Sequence, residues 1–305
     1  MMSNVYESKR LFLDKIMGDA EAAKLLGTFV KSGDCKHIIK NRSIDVYDKT
    51  NHKLIVSIRK GAIPKEHRDN AYDSICASAM KNKTNSRGVA SGKLNFDKLP
   101  PGVVEIVEPD KFKSQVVYDD GYVTNYKISN KVNSMICGYY NYPFGKGKDE
   151  TAFTRSNPTL WHNFKQTIVY LDYLFRYLYD SKWQKQNEQI GSSPYRIEDT
   201  VFSTVTVNLN FQTAIHLDKG DLKDGYSIFF LCKERKWEGG YLCYPQYGVA
   251  IEVEERDFVI MNPHEYHGNS EFMVNGLHEA IPDHEMIKRD YRRLSFVLYF
   301  RQGLL

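Results

Sequence analysis

The stretch "TVNLNFQTAIHLDKGD", residues 206–221, starts as an apolar, β-branched run and ends with a histidine and an aspartate two positions apart. On an extended strand, residues i and i+2 point to the same face, about 7 Å apart at the backbone. His216 and Asp218 can therefore reach one common point while Leu217 turns away. The plain structural alternative is a polar strand end facing water, since an isolated HxD pair is common by chance. A metal site needs a third ligand. Candidates follow in "DFVIMNPHEYHGNSEF" (257–272), where His264 and His267 lie just past another apolar strand.

Two histidines and one carboxylate on one side of an ion leave three octahedral positions open, the facial arrangement of non-haem Fe(II) oxygenases. Such an enzyme also anchors a co-substrate. "RRLSFVLYFR" (292–301) puts Arg293, Ser295, Val297 and Tyr299 on one face of a final strand. An arginine inside an apolar strand pattern calls for an anion, and its planar fork suits a carboxylate. A surface arginine is the plainer reading of that residue alone. The order along the chain is more specific than any single element: HxD after a strand, His-Gly after a second, RxS on a last.

Six strand-like segments occupy the C-terminal part: "TVFSTVTVNLNF" (200–211), "YSIFFLC" (226–232), "GGYLCYPQ" (239–246), "GVAIEVE" (248–254), "DFVIMNP" (257–263) and "RRLSFVLYFR". Strands at this spacing suggest a sandwich or jelly roll. Upstream, residues 156–190 predict one long helix, with Ser156 or Asn157 as cap and Pro158 at its first position. Phe164, Ile168, Leu171, Leu174 and Leu178 recur at helical spacing, so one face packs, across the outer side of a barrel. In the first third, "SKRLFLDKIM" (8–17) and "DAEAAKLLGTFVKSG" (19–33) read as helices, the second ending at Gly33. "KLIVSIRKGAIP" (53–64) reads as a strand, "HRDNAYDSICASAMKNK" (67–83) as a helix and "TNSRGVASGKL" (84–94) as a loop. Without an internal repeat or a low-complexity linker, residues 1–305 form one composite domain: mixed α/β over 1–155, the supporting helix over 156–190 and the strand-rich core over 200–305.

Composition sets wide limits. A chain 42% hydrophobic and 13% aromatic buries a core and excludes disorder. No apolar run approaches the ~18 residues of a membrane span, and the charged N-terminus does not suit an export signal. The expectation is a soluble intracellular monomer, nuclear or cytoplasmic. Five scattered cysteines without a CxxC fit reduced thiols. The net charge of +4 is uneven: residues 31–100 hold 15 Lys/Arg against 7 Asp/Glu, a net of +8. That excess is compatible with a polyanionic partner or with a merely solvated basic face.

With these motifs assembled, the sequence resembles the 2-oxoglutarate- and Fe(II)-dependent dioxygenases, and among them the TET/JBP group that oxidises the 5-methyl group of pyrimidine bases. The resemblance rests on "TVNLNFQTAIHLDKGD", "NPHEYHGN" (262–269) and "RLSFVLYFR" (293–301). "GYYNYP" (138–143) with "TAFTR" (151–155), and "NSRGVASG" (85–92), look like further blocks, so it runs from about residue 65 to the C-terminus. It implies an α+β fold with a double-stranded β-helix, or jelly-roll, core and helices on one face. It implies Fe(II) held by His216, Asp218 and His267, with His264 as second choice. Arg293, assisted by Ser295, would bind the distal carboxylate of 2-oxoglutarate, with Arg301 as second choice. O2 completes the reactants, and hydroxylation of thymine or 5-methylcytosine in DNA is the implied activity. A duplex substrate would be flipped into the pocket. Asn85, Arg87, Asn208 and Asn210 are candidate substrate contacts, Arg87 for a phosphate or base edge. Tyr139, Tyr140 and Tyr142 either stack a base or belong to the core. The segment "KGKDETAF" (146–153) lacks the basic residue expected just before "TAF", leaving Arg155 or Lys148 as substitutes. The alternatives are a prolyl or lysyl side-chain hydroxylase using the same iron chemistry, and an inactive DNA-binding barrel.

Overall fold

The structure is a computed structural model and describes residues 7–92, 99–107, 114–126, 130–142, 147–273 and 290–305. Along the chain the strands are β1 (Lys9–Leu13), β2 (His37–Ile39), β3 (Ile44–Asp48), β4 (Leu54–Arg59), β5 (Val103–Val107), β6 (Ser114–Tyr118), β7 (Val123–Tyr126), β8 (Ser134–Tyr142) and β9 (Gly147–Glu150). They continue as β10 (Thr204–Leu209), β11 (Ser227–Glu234), β12 (Glu238–Gly239), β13 (Leu242–Tyr244), β14 (Val249–Ile251), β15 (Phe258–Met261), β16 (Gly268–Asn269), β17 (Phe272–Met273) and β18 (Arg292–Tyr299). The helices are α1 (Asp19–Ala23), α2 (Lys65–Lys81), α3 (Ala152–Ser156), α4 (Pro158–Leu178) and α5 (Asp180–Ile190). Among the described residues, no helix is long and apolar enough to cross a membrane.

Nine strands form the major sheet in the order β1-β3-β4-β15-β11-β18-β10-β8-β9, and β16-β13-β14-β2 form a smaller one. Period-two alternation decides what each face of the major sheet meets. Ile228, Phe230 and Cys232 of β11 pack in one core with Leu294, Phe296 and Leu298 of β18, Val205 and Val207 of β10, and Phe164, Ile168 and Leu171 of α4. Phe229 and Leu231 turn the other way and pack with Leu242, Tyr244, Val249 and Ile251 of the small sheet. Phe230 and Phe296 stack at 4.5 Å between ring centroids under the helices. Complete burial of each such ring contributes about 2–3 kcal/mol. The mixed α+β class and the helices on one face agree with the sequence reading. The major sheet is broader than that reading, because β1, β3, β4, β8 and β9 extend it with strands from before residue 151.

Three local expectations are corrected. "SKRLFLDKIM" is not a helix: residues 9–13 form β1, parallel to β3, with Leu11 and Leu13 packed on the inter-sheet core. Short apolar runs fit both periods, and the available sheet edge decides. The helix expected over 19–33 stops after five residues, because the chain next pairs with the loop before His216. Gly27 N–H donates to Ile215 O at 2.9 Å, and Ile215 N–H donates to Thr28 O at 2.9 Å. The long helix over 156–190 is two helices separated at Tyr179, whose backbone (φ −141°, ψ 52°) leaves the helical region. This break lets the Tyr179 hydroxyl donate to Asp45 (2.6 Å) and accept from Arg59 (3.0 Å), the buried ion pair of the sheet edge.

Candidate metal centre

β10 ends at Leu209, and Asn210 takes a left-handed backbone (φ 48°) that turns the chain out of the sheet. Residues 211–220 are therefore a loop, not the strand end that the sequence suggested. The i, i+2 convergence survives because His216 forms an isolated antiparallel bridge with His267. His216 N–H donates to His267 O (2.9 Å), and His267 N–H donates to His216 O (3.1 Å). Asp218 N–H donates to Pro263 O at 3.0 Å, which ties the loop to the turn after β15. Gly268 permits this approach: a Cβ there would stand 3.0 Å from Thr213 O and 3.1 Å from the Ala214 carbonyl carbon. The glycine after the histidine is thus explained by space.

His216 Nε2 lies 3.6 Å from one Asp218 oxygen, and His267 Nε2 lies 3.5 Å from the other. One ligand atom from each of the three residues lies within 4.8 Å of those of the other two. Each imidazole Nδ1 faces a backbone carbonyl two residues earlier, His216 at Ala214 O and His267 at Glu265 O, both at 2.8 Å. A proton on Nδ1 satisfies those carbonyls and leaves both Nε2 lone pairs directed at the common point. Burial, then the neighbouring His267, lowers the His216 pKa to about 4. Burial works against ionising Asp218, but His216, His267 and Arg87 together hold its carboxyl at about 2. For His267, burial is outweighed by the hydrogen bond and charge of Asp218, and its pKa is raised. At neutral pH His216 is a neutral imidazole beside the Asp218 carboxylate, while His267 holds its proton longest and must give it up to a divalent ion.

His264 is turned elsewhere, with its Nε2 3.0 Å from Leu222 O. Arg293 is fully buried on the inter-sheet side of β18, between the rings of Phe229 (5.7 Å) and Phe272 (5.4 Å). Its guanidinium donates to Ser295 Oγ (3.3 Å) and Gly240 O (3.5 Å). Asn269 also donates to Gly240 O, at 3.3 Å, and accepts from Thr213 Oγ1 at 2.7 Å. A polar chain thus runs from Arg293 to the segment just beyond His267.

Arg87 does not face outward as a phosphate contact. Its guanidinium turns inward and donates to Ser134 Oγ (2.7 Å), Met135 O (3.2 Å) and Thr206 Oγ1 (3.5 Å). Burial depresses its pKa, and it faces Asp218, Tyr140, Tyr299 and Arg301. Asn85 is half-buried at the start of the same loop. Asn208 accepts from Ser134 (2.5 Å) on the Arg87 side. Asn210 is not a pocket residue: its side chain accepts from Arg293 N–H (2.6 Å) and donates to Tyr291 O (2.7 Å), fixing the turn. Arg155 pairs with Asp149 at the surface and Lys148 donates to Leu305 O, whereas the charge of Arg87 acts on the Asp218 carboxyl.

Tyr139 packs into the helix-side core. Tyr140 and Tyr142 instead form an edge-on pair (5.2 Å) with Arg301 4.1 Å over Tyr140. Pro143 of the same block lies outside the described residues. Asp221 is a further member that pattern reading missed, although it stands in "HLDKGD". It is buried, accepts from Ser227 Oγ (2.9 Å) and bridges Arg301 through the backbone. Burial and the nearby Asp218 push its carboxyl well above the usual range. The basic excess of residues 31–100 is partly internal. Arg59 is bound to Asp45, Lys60 to Asp257 and Arg68 to Glu234 and Glu255, while Lys81 and Lys83 remain exposed before the Arg87 loop.

Residues 135–302, which contain the triad and Arg293, match the model of the Tet_JBP family, the oxygenase domain of the 2OGFeDO superfamily. The chain is 31% identical over 174 residues to thymine dioxygenase JBP1 of Leishmania infantum, a match covering 56% of this chain and 20% of that protein. It is 33% identical over 174 residues to thymine dioxygenase JBP1-B of Trypanosoma cruzi (strain CL Brener), again 56% of this chain and 20% of the relative. The matched region thus spans about a fifth of the length of these relatives. Among solved structures, NgTET1 in complex with 5mC DNA superposes with a TM-score of 0.54 at 11% identity, over 94% of this chain and 92% of that one.

Proposed function

The chain belongs to the Tet/JBP family of 2-oxoglutarate- and Fe(II)-dependent oxygenase domains, and on that premise we propose that it hydroxylates the 5-methyl group of a pyrimidine base, thymine or 5-methylcytosine, in DNA. The observation that carries this reading is the convergence of His216, Asp218 and His267 inside the matched region. Relatives named for thymine put thymine first among the substrates to test. The two facing sheets are read as a double-stranded β-helix, and the whole chain as one composite domain.

The donor set fits Fe(II): two imidazoles with carbonyl-anchored Nδ1 atoms, and one carboxylate. When bound, Fe(II) with 2-oxoglutarate and O2 supplies hydroxylation coupled to decarboxylation, yielding succinate, CO2 and the hydroxymethyl base. The chain's own residues bind, orient and exclude. Arg293 with Ser295 would hold the distal carboxylate of 2-oxoglutarate, in surroundings where the guanidinium is dehydrated and its fork is set by Phe229 and Phe272. Arg87 provides compensating positive charge beside Asp218 as anionic reactants gather. Tyr140, Tyr142 and Arg301 present ring faces and a cation for a base withdrawn from the stack.

The discriminating experiment is succinate release with candidate substrates. Thymine- or 5-methylcytosine-containing DNA should stimulate it, and the DNA affinity should fall steeply with salt. Stimulation by a proline- or lysine-containing peptide and never by DNA would replace this reading with a protein hydroxylase. No succinate with any substrate would leave the inactive DNA-binding barrel.

A further inference from the structure

Away from the triad, Cys35 and Cys243 bring two thiols together from opposite ends of the sequence. Cys35 packs against the cluster that holds Cys243, whose thiol donates to Tyr241 O at 3.4 Å. Both belong to a small apolar cluster with Val30, Ile215, Tyr241 and Ala250. Cys243 is fully buried on β13, in register with Gly268, the residue after His267. Cys35 is half-buried in the turn that leads into β2. Its segment is already docked: Ser32 N–H and Oγ bond to the Glu271 carboxylate at 2.8 and 2.9 Å, and His37 N–H bonds to Gly248 O at 3.0 Å. The other cysteines, Cys76, Cys137 and Cys232, are buried in the helix-side core.

We propose that Cys35 and Cys243 are an oxidation site at which a hydroperoxide closes an intrachain disulfide, covalently fastening the segment before β2 to the sheet that carries His267. The Cys35 sulfur attacks the peroxide, the O–O bond breaks, and one oxygen leaves as water or alcohol while Cys35 becomes a sulfenic acid. Cys243 then attacks the Cys35 sulfur, the S–O bond breaks and a second oxygen leaves as water. Two thiols lose two electrons and two protons, and one peroxide is reduced. Exposure selects Cys35 as the attacking sulfur, and the neighbouring Cys243 thiol holds that of Cys35 below the ordinary range while its own is pushed up. This inference does not depend on the proposed base oxidation.

The test treats the whole apo protein with hydrogen peroxide, alkylates the remaining thiols and maps peptides without reduction. The expected result is a Cys35–Cys243 peptide that dithiothreitol releases, with Cys76, Cys137 and Cys232 recovered as alkylated thiols. The closed loop is long, so the oxidised protein should melt about 5 °C higher. Cys35→Ser, at a half-exposed position, should fold and form no intrachain link. Should Cys243→Ser fail to fold, the wild-type map and Cys35→Ser decide the matter. Recovery of Cys35 as free thiol or sulfinic acid with Cys243 unlinked, a link between two chains, or a disulfide that lowers the melting temperature would overturn the proposal.

Discussion

His216 and His267 face each other across a single antiparallel bridge, each backbone N–H donating to the other's carbonyl, with ring centroids 4.4 Å apart. The bridge sets the distance between the two imidazoles before any ion arrives. Asp218, two residues further round the loop, places an oxygen against each Nε2. Removing any one of the three should weaken Fe(II) binding by at least about 100-fold. Isothermal titration of His216→Ala, Asp218→Ala and His267→Ala with Fe(II) under argon checks this, and a variant that binds like the wild type would remove that residue from the ligand set.

Proton competition should be visible at one ligand. Asp218 near 2 and His216 near 4 are already deprotonated at neutral pH, whereas the raised His267 is the last to lose its proton. Apparent metal affinity should therefore fall as pH drops through neutrality, by about tenfold per unit once His267 is protonated. Titrations from pH 8 to pH 5.5 should release one proton per metal at the lower end.

Arg293→Lys keeps the charge and loses the fork that Phe229 and Phe272 hold in place. The KM for 2-oxoglutarate should rise about 10- to 100-fold, with a smaller loss of kcat. Steady-state succinate formation at saturating DNA separates the two. An unchanged KM would return the co-substrate role to Arg301 or Arg87.

Asp172, on the buried face of α4, has its carboxyl pushed up to about 6 because burial disfavours its charge. Its folded pKa lies above the unfolded value, so the stability it contributes is fully present below about pH 4 and is lost as pH rises through 6. The loss is of the order of 3 kcal/mol. Both carboxyl oxygens are used, one by Val201 N–H (2.9 Å) and one by Trp183 Nε1 (3.1 Å). Asp172→Asn sacrifices one of these bonds, about 1 kcal/mol, and removes the Asp172 share of the pH dependence. Urea melts at pH 4 and pH 8 should show the variant less stable at the first and more stable at the second.

Strand period made the core legible, and the i, i+2 spacing made the triad legible even though a bridge to His267, not a strand, holds His216 and Asp218 convergent. The alternation of "RRLSFVLYFR" is the alternation observed, with Leu294, Phe296 and Leu298 under the helices and Arg293 and Ser295 on the inner side. Features that depend on distant partners were not legible. Residues 9–13 become a strand because β3 offers a parallel edge, and α1 ends early because residues 27 and 28 pair with Ile215. Arg87 looked like a surface contact in a glycine turn, and only the fold shows Ser134 and Thr206 drawing it inward. Asp221 carried a readable signal, its place three residues after Asp218, yet its burial comes from Ser227 and the turn against Arg301.

The central claim is that the triad oxidises a pyrimidine methyl group in DNA. Its most direct test is nucleoside mass spectrometry of thymine- and 5-methylcytosine-containing DNA incubated with protein, Fe(II), 2-oxoglutarate and ascorbate. The predicted result is new 5-hydroxymethyluracil or 5-hydroxymethylcytosine with the wild type, and none with Asp218→Ala. DNA that stays unmodified by a wild-type protein shown to bind Fe(II), or a hydroxymethyl product that persists in Asp218→Ala, would contradict it.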